Sequence, residues 1–300
     1  MLRRFARTLF YSLSLMAVSA QTLAAPEEKV AEVKSDGIIT LTIQPDVYQD
    51  YIRFLDGRSP LDIKDFSEPF NRRDIADAII FQQALALGGA NFDIEFVLGN
   101  YYARNLKMLK KGLLSATLDS VWQQDLKNIQ DHVYVTDAII EKGEYEAGLY
   151  TSNKNIHTLN AKSLADVQKL KAIVNQNWKV DIQTLQSMGV GSITMDGHWT
   201  TIVTAVDRQL VDFVLAPFQQ SEDLSFYINE KISLVPIPNI KVTLQGSRHF
   251  VVSKHHEYSE ILFPAINKGL AELKANGKVR QAYTQAGFFN DRVKDWKTIF

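Results

Sequence analysis

Residues 246–287 read GSRHFVVSKHHEYSEILFPAINKGLAELKANGKVRQAYTQAG. The run 249–253 has the character of a strand, and the polar residues after it form a turn. A helix is expected over about 260–274, stopped at Asn276-Gly277, and a second short helix ends at Gly287. The chain therefore closes on a strand–turn–helix–helix unit, and the alternation it shows extends upstream.

Residues 38–43, IITLTI, read as a first strand, and the 44–48 loop leaves its C-terminal end. Residues 49–70 are expected to be irregular, broken by Gly57 and Pro60. Residues 71–87, NRRDIADAIIFQQALAL, form a helix that is apolar almost all round after its first turn, so it is buried against a sheet. A strand at 92–98, a helix at about 102–111 ended by Gly112, and a strand at 113–118 follow. Such alternation implies parallel pairing through crossover helices. Open sheets of this kind hold ligands outside the carboxyl ends of their strands, which directs attention to loops 44–48 and 119–127. Residues 144–152, EYEAGLYTS, alternate as a strand leaving this first lobe. A second α/β segment contains a short β-prone run at 171–176, helices at 178–188 and 199–208, a strand at 210–215 and proline-interrupted strands within 234–242.

At the N-terminus, Arg3, Arg4 and Arg7 precede a short apolar run (8–18) and then small residues, the layout of a secretory signal peptide over residues 1–25. The run is too short to span a bilayer. A charged leader, 26–36, comes next. The chain has no cysteine, which excludes disulfides and thiol chemistry and suits a periplasmic destination. A formal charge of −1, without a basic stripe interleaved with aromatics, gives no basis for nucleic-acid binding.

Four places resemble the bacterial periplasmic solute-binding proteins of family 3, the type II, amino-acid-transporter kind. Lys110-Lys111-Gly112 before an apolar run resembles that family's helix–Gly–strand step. Residues 146–150, EAGLY, resemble its first interlobe crossing, residues 164–173 a characteristic second-lobe segment, and residues 249–287 its return strand and final helices. Order and spacing carry the likeness, over about 38–287. It implies an α/β fold of type II periplasmic-binding-protein-like architecture, two α/β lobes joined by two crossing strands with the ligand between them. Lobe one would comprise 26–147 plus 248–300 and lobe two 148–247, with 246–252 as the second crossing, antiparallel to 144–152.

The chain also departs from that pattern. Family members usually carry a Thr and a carboxylate-gripping Arg after the third strand, whereas residues 119–127 here read DSVWQQDLK. The nearest cation, Lys127, lacks the bidentate guanidinium fork. Asn177-Trp178 stands where the family has a Gly-Ser or Gly-Thr pair, and the late second-lobe Asp is replaced by the 216–218 stretch Ala-Pro-Phe. An ordinary α-amino acid is not the expected ligand.

Candidate ligand contacts come from the strand-end loops 44–48, 119–127, 176–178 and 216–219. Trp122 and Trp178 would face each other across the cleft and offer flat faces to a ring, sugar or cation, unless both are simply core or surface tryptophans. Asp46, Tyr48, Ser120, Gln124, Asn177 and Gln219 are polar candidates, set against the ordinary fate of loop residues, which is solvation. Arg72 and Arg73 open a helix where the dipole disfavours a cation, so they require either an ion pair (Glu68 or Asp74) or an anionic ligand. Glu144, Glu146 and Arg248 are expected on the crossing strands as hinge residues. His255-His256-Glu257 has the wrong spacing for a metal site and reads as an exposed turn. No nucleophile elbow, zincin motif or phosphate loop is present.

The expected function is capture of a small polar solute for an ABC permease or a membrane sensor protein. A monomer is expected, with no cofactor, metal or catalytic residue. Alternatives are a lyase of the dehydratase kind on the same fold, or a ligand-free periplasmic adaptor.

Overall fold

The computed structural model describes residues 35–99, 102–229 and 232–300. The expected signal peptide and the leader as far as residue 34 lie outside the described residues.

The first lobe begins with β1 (Gly37–Ile43), α1 (Pro45–Leu55), α2 (Arg73–Leu87), β2 (Phe92–Leu98) and α3 (Tyr102–Lys110). Next come β3 (Val121–Trp122), β4 (Val133–Val135) and the long strand β5 (Tyr145–Ser152). The second lobe holds α4 (Ile156–Leu159), α5 (Leu164–Val167), β6 (Lys171–Asn175), α6 (Lys179–Ser187), β7 (Gly191–Met195), α7 (Trp199–Asp207), β8 (Val214–Pro217) and β9 (Phe226–Asn229). The chain returns through β10 (Ile232–Pro236), β11 (Ile240–Leu244), β12 (Arg248–His249) and β13 (Val251–Ser253), then α8 (Ser259–Ala275), α9 (Lys278–Gln285) and β14 (Lys297–Thr298).

β1 and β2 pair in parallel, from Gly37↔Phe92 to Ile43↔Leu98. A parallel pair needs a crossover, and α1 and α2 supply it. Ile39, Leu41 and Ile43 of β1 are buried, as is every residue of α2 from Ile75 to Leu85. α2 lies against α8 so closely that their backbones touch: a Cβ built on Gly269 overlaps the Ala84 carbonyl, and one on Gly88 overlaps that of Ala265. In the second lobe β6 and β7 form another parallel pair, Lys171↔Gly191 to Asn175↔Met195.

β5 is the spine between the lobes. It pairs antiparallel with β8 (Gly148↔Ala216), β10 (Thr151↔Val235) and β11 (Thr243↔Glu146, Leu244↔Tyr145). The return crossing is therefore β11, 240–244, rather than 246–252. Arg248 correspondingly lies on β12, opposite Trp122 of β3, and is not a crossing-strand residue. The charge pair on the crossings is Glu146 with the buried Lys241, 2.8 Å, whose ammonium also donates to the Val293 carbonyl at 2.9 Å. Glu144 lies just before β5 and pairs with Arg280 at 3.3 Å.

Two other expectations change. Residues 44–48 are not a loop, and 49–55 are not irregular: both lie in or at the start of α1, whose first residue is Pro45. Proline suits that position because its missing N–H has no helical partner there, and Val47, Tyr51, Phe54 and Leu55 make a buried stripe at helical spacing. Of residues 113–118 only 115–117 are extended against a neighbour, through the antiparallel bridge Ala116↔Val252 and the flanking bonds Thr117 N–H to the Val251 carbonyl (2.9 Å) and Ser253 N–H to the Ser115 carbonyl (2.8 Å), on the edge of β13 away from β4.

Because nothing can yield at the α2–α8 contact except backbone, Gly269→Ala should lower stability by about 1–3 kcal/mol. Urea unfolding followed by circular dichroism checks this; an unchanged midpoint would mean that the helices separate freely.

Candidate ligand cleft

A cavity of about 710 Å³ lies where the strand ends of both lobes meet. First-lobe residues lining it include Gln44, Asp46 and Val47 at the start of α1, Arg72, Arg73 and Asp74 at the start of α2, Tyr102, Arg104 and Lys107 of α3, and Asp119, Trp122, Tyr145 and Arg248. The second lobe contributes Asn175 to Trp178 after β6, Asp181 of α6, Asp196 to Trp199 after β7, residues 215–217 of β8, and Phe226. The placement follows from the parallel pairs, whose carboxyl ends open on one side.

The floor is a polar network. Asp77, fully buried on α2, accepts from Arg73 Nη1 (2.7 Å) and from the Ser120 amide (2.9 Å) and hydroxyl (2.8 Å). Its other oxygen accepts from the Tyr283 hydroxyl. Arg248 Nε donates to Ser120 Oγ at 2.9 Å, its Nη2 donates to the Ser120 carbonyl, and its guanidinium lies 4.7 Å from the Trp122 ring centre. Arg73 also pairs with Asp74. Arg72 pairs with Asp46 (3.0 Å) and Asp50 (3.3 Å). The expected alternative for the two arginines thus resolves to ion pairs; Glu68 instead holds Arg58 at 2.7 Å.

Of the residues singled out in the sequence, Asp46, Arg73, Trp122, Asn177 and Trp178 share this lining, joined by Arg248. Trp122 is only 4% exposed, its ring covered by Arg248. Trp178 is half-buried beside Trp199, their rings 6.0 Å apart. Four candidates stand outside the lining. Tyr48 packs on Phe96, Ser120 is spent within the floor, Gln124 donates to the Gln245 carbonyl, and Gln219 donates to that of Pro217.

Sequence reasoning missed Asp119, Asp181, Trp199 and Phe226 as neighbours in the cleft. Asp181 and Trp199 had a usable signal, since each lies in the first turn of a helix that follows a strand. Asp119 opens the strand-end loop 119–127 and so had the same kind of signal; Phe226 had none, and only the tertiary fold brings it in. Burial pushes the carboxyls of both Asp119 and Asp181 up to about 7; for Asp119 the neighbouring Asp74 and Asp77 add to the rise, while Arg73 and Arg248 oppose it. The Trp199 indole N–H and Arg72 Nε, both shut off from solvent, have no hydrogen-bond acceptor. At the mouth, Lys179 at the start of α6 reaches Asp125 of the first lobe at 3.4 Å.

No protein-family model matches the chain, and no curated protein matches it. Solved structures do resemble it. An ancestral arginine-binding protein bound to arginine is 15% identical, over 84% of this chain and 99% of that one, with a TM-score of 0.50. The substrate-binding protein of an amino acid ABC transporter is 12% identical, over 83% and 99%, with a TM-score of 0.50. The periplasmic domain of BvgS from B. pertussis is 12% identical over 83% of this chain, which spans 42% of that one, with a TM-score of 0.52. At these identities the likeness is one of fold. The chain has the type II periplasmic-binding-protein-like fold, two α/β lobes joined by crossing strands.

A carboxyl whose folded pKa is raised holds its proton after the unfolded chain has released it, so stability falls as pH rises from about 4 to about 7. Asp181→Asn removes that loss. The variant should be more stable than the parent by about 1–2 kcal/mol at pH 8, with the difference vanishing near pH 4. Thermal denaturation at both values checks the sign; a variant less stable at pH 8 contradicts it.

Proposed function

We propose that this chain is an extracytoplasmic solute-binding protein that captures a small polar solute between its lobes and presents the closed form to an ABC permease or a membrane sensor. The observation that carries this reading is the cavity itself. It is drawn from both lobes, is of ligand size, and is lined by aromatic rings and by polar groups that are only partly satisfied. A buried donor such as the Trp199 indole N–H is normally satisfied, and a guest would satisfy it. Opening and closure would turn about β5 and β11, and the Lys179–Asp125 pair, formed at 3.4 Å, ties the lobes in the arrangement described.

In this reading Asp46, Asn177 and Trp178 contact the solute, with Arg73 and Trp122 holding the floor in place. Ser120 supports Arg73 and Arg248 from behind. Glu144 and Glu146 stiffen the hinge through Arg280 and Lys241. Residues 1–25 direct export, the lobes divide within the crossing strands β5 and β11, and the protein works as a monomer.

One observation favours a second reading. Two carboxyls near pKa 7 in one cleft have the poise of a general acid–base pair, as a lyase would need. Mass spectrometry of the recovered ligand separates the two: an unaltered solute supports the binding protein, a converted one the enzyme.

Thermal shift of residues 26–300 against amino acids, amines, sugars and organic acids should yield a ligand. At a concentration of about 100 Kd a single site adds roughly 2.7 kcal/mol, a rise of several degrees for a domain of this size. Trp178→Ala should remove most of that rise. A full shift in the variant would exclude Trp178 from the site.

A further inference from the structure

Lysines and arginines match carboxyls in the cavity lining, five against five. They differ in how far each is already engaged. Arg72 holds Asp46 and Asp50, Arg73 holds Asp74 and Asp77, and Arg248 is bound to Ser120 over the face of Trp122. The other two cations, Arg104 and Lys107, lie one turn apart on α3, exposed and without an ion pair among the described residues. Of the carboxyls, Asp46 and Asp74 are committed to those arginines, Asp119 is engaged, and Asp196 is exposed on the opposite rim. Asp181 accepts from its own backbone N–H. Burial pushes Asp119 and Asp181 up to about 7 against the pull of Arg248, so at neutral pH each carries only part of its charge and the lining leans positive.

The unused hydrogen-bonding capacity leans the same way. Two buried side-chain atoms of the lining have no partner among the described residues, the Trp199 indole N–H and Arg72 Nε, and both are donors. An unpaired buried donor is costly, and only an acceptor relieves it. The Asn175 amide, by contrast, is spent, donating to the Gly197 carbonyl and accepting from the Asn177 backbone N–H. Helix starts favour negative charge. Those of α1, α2 and α6 each carry an aspartate in the first turn, Asp46, Asp74 and Asp181, whereas α7, which begins at Trp199, carries no acidic residue there. The wall around Trp199 is a run of rings, with Trp178 6.0 Å and Phe226 5.1 Å from it. A flat ring gains more on such faces than its area alone supplies.

Resting on the solute-binding reading of this cleft, we propose that the guest is a small aromatic acid, an anion whose ring packs on Trp178 and Phe226, whose carboxylate accepts from the Trp199 indole N–H, and whose charge is countered by Arg104 and Lys107. The carboxylate thus sits at the start of α7, the helix end that the chain leaves without an acidic residue. Arg72 Nε, on the facing lobe, is left for a second oxygen of the guest. A sugar brings hydroxyl donors to a wall whose spare groups are donors already, and an ammonium leaves both of them unpaired.

Isothermal titration of residues 26–300 with benzoate and 4-hydroxybenzoate tests this beside benzyl alcohol, succinate, glutamine, glucose and putrescine. One or both aromatic acids should bind, and benzyl alcohol at least about tenfold more weakly, since it lacks the charged acceptor. Trp199→Phe keeps a ring and removes the N–H. It should weaken the acid about ten- to a hundredfold while leaving the circular dichroism spectrum unchanged. Arg104→Gln with Lys107→Gln should cost up to about fivefold and flatten the salt dependence of binding. Benzyl alcohol bound as tightly as benzoate overturns the anion. Affinity that is equal in parent and Trp199→Phe, or a salt dependence unchanged in the double variant, also overturns the proposal. Binding confined to succinate, glutamine, glucose or putrescine overturns the aromatic acid and keeps the solute-binding protein. Silence from every compound removes both readings.

Discussion

A fully buried carboxylate, Asp77 on α2, takes hydrogen bonds from Arg73, from the amide and hydroxyl of Ser120, and from Tyr283 of α9. Ser120 in turn accepts from Arg248. A charge so deep is tolerable only when paired and fully hydrogen-bonded, and removing a partner from such a pair typically costs about 3–5 kcal/mol. The network joins α2, the segment before β3, the return strand β12 and the short last helix α9. It also decides what the cleft above can offer. Arg73 and Arg248 are turned to structural use, and the rest of the lining is carboxyls, amides, aromatic rings and the exposed Arg104 and Lys107.

The lobes are joined through a different device. β5 lies between β11 and strands of the second lobe, and its Glu146 is tied to the buried Lys241. Gly148, at the centre of β5, has no room for a side chain, since a Cβ would stand 2.8 Å from the Tyr150 ring and 2.9 Å from that of Phe218. The crossing is thus tightly packed, whereas the contact across the mouth is an ion pair with an exposed lysine, Lys179 to Asp125. Water screens its lysine end while Asp125 is buried, and reversible closure requires that the packed crossing hold while this one contact breaks and re-forms.

Much of this fold was legible in the chain because local chemistry and tertiary structure agree. Asn276-Gly277 marks the break between α8 and α9, where Gly277 takes φ of 78°, and the apolar run of α2 is buried as its composition implies. The failures have local causes. Pro45 reads as a loop residue but is the first residue of α1. The extended stretch 240–253 is divided among three strands with three different partners, β5, β3 and β4, and periodicity cannot assign a partner. Arg248 was therefore misplaced on the hinge. In the site, the strand-end rule led to Asp46, Asn177 and Trp178, while the engagement of Arg248 by Ser120 is brought about only by the fold.

The central claim is that the lobes close on a guest held between them. The absence of cysteine allows single labels to be placed cleanly. Spin labels on Lys127→Cys of the first lobe and Gln183→Cys of α6, both exposed, report the width of the mouth by pulsed electron paramagnetic resonance. With a saturating ligand the distance distribution should shift to a shorter, narrower one. The same distribution with and without ligand would contradict closure as the mode of capture.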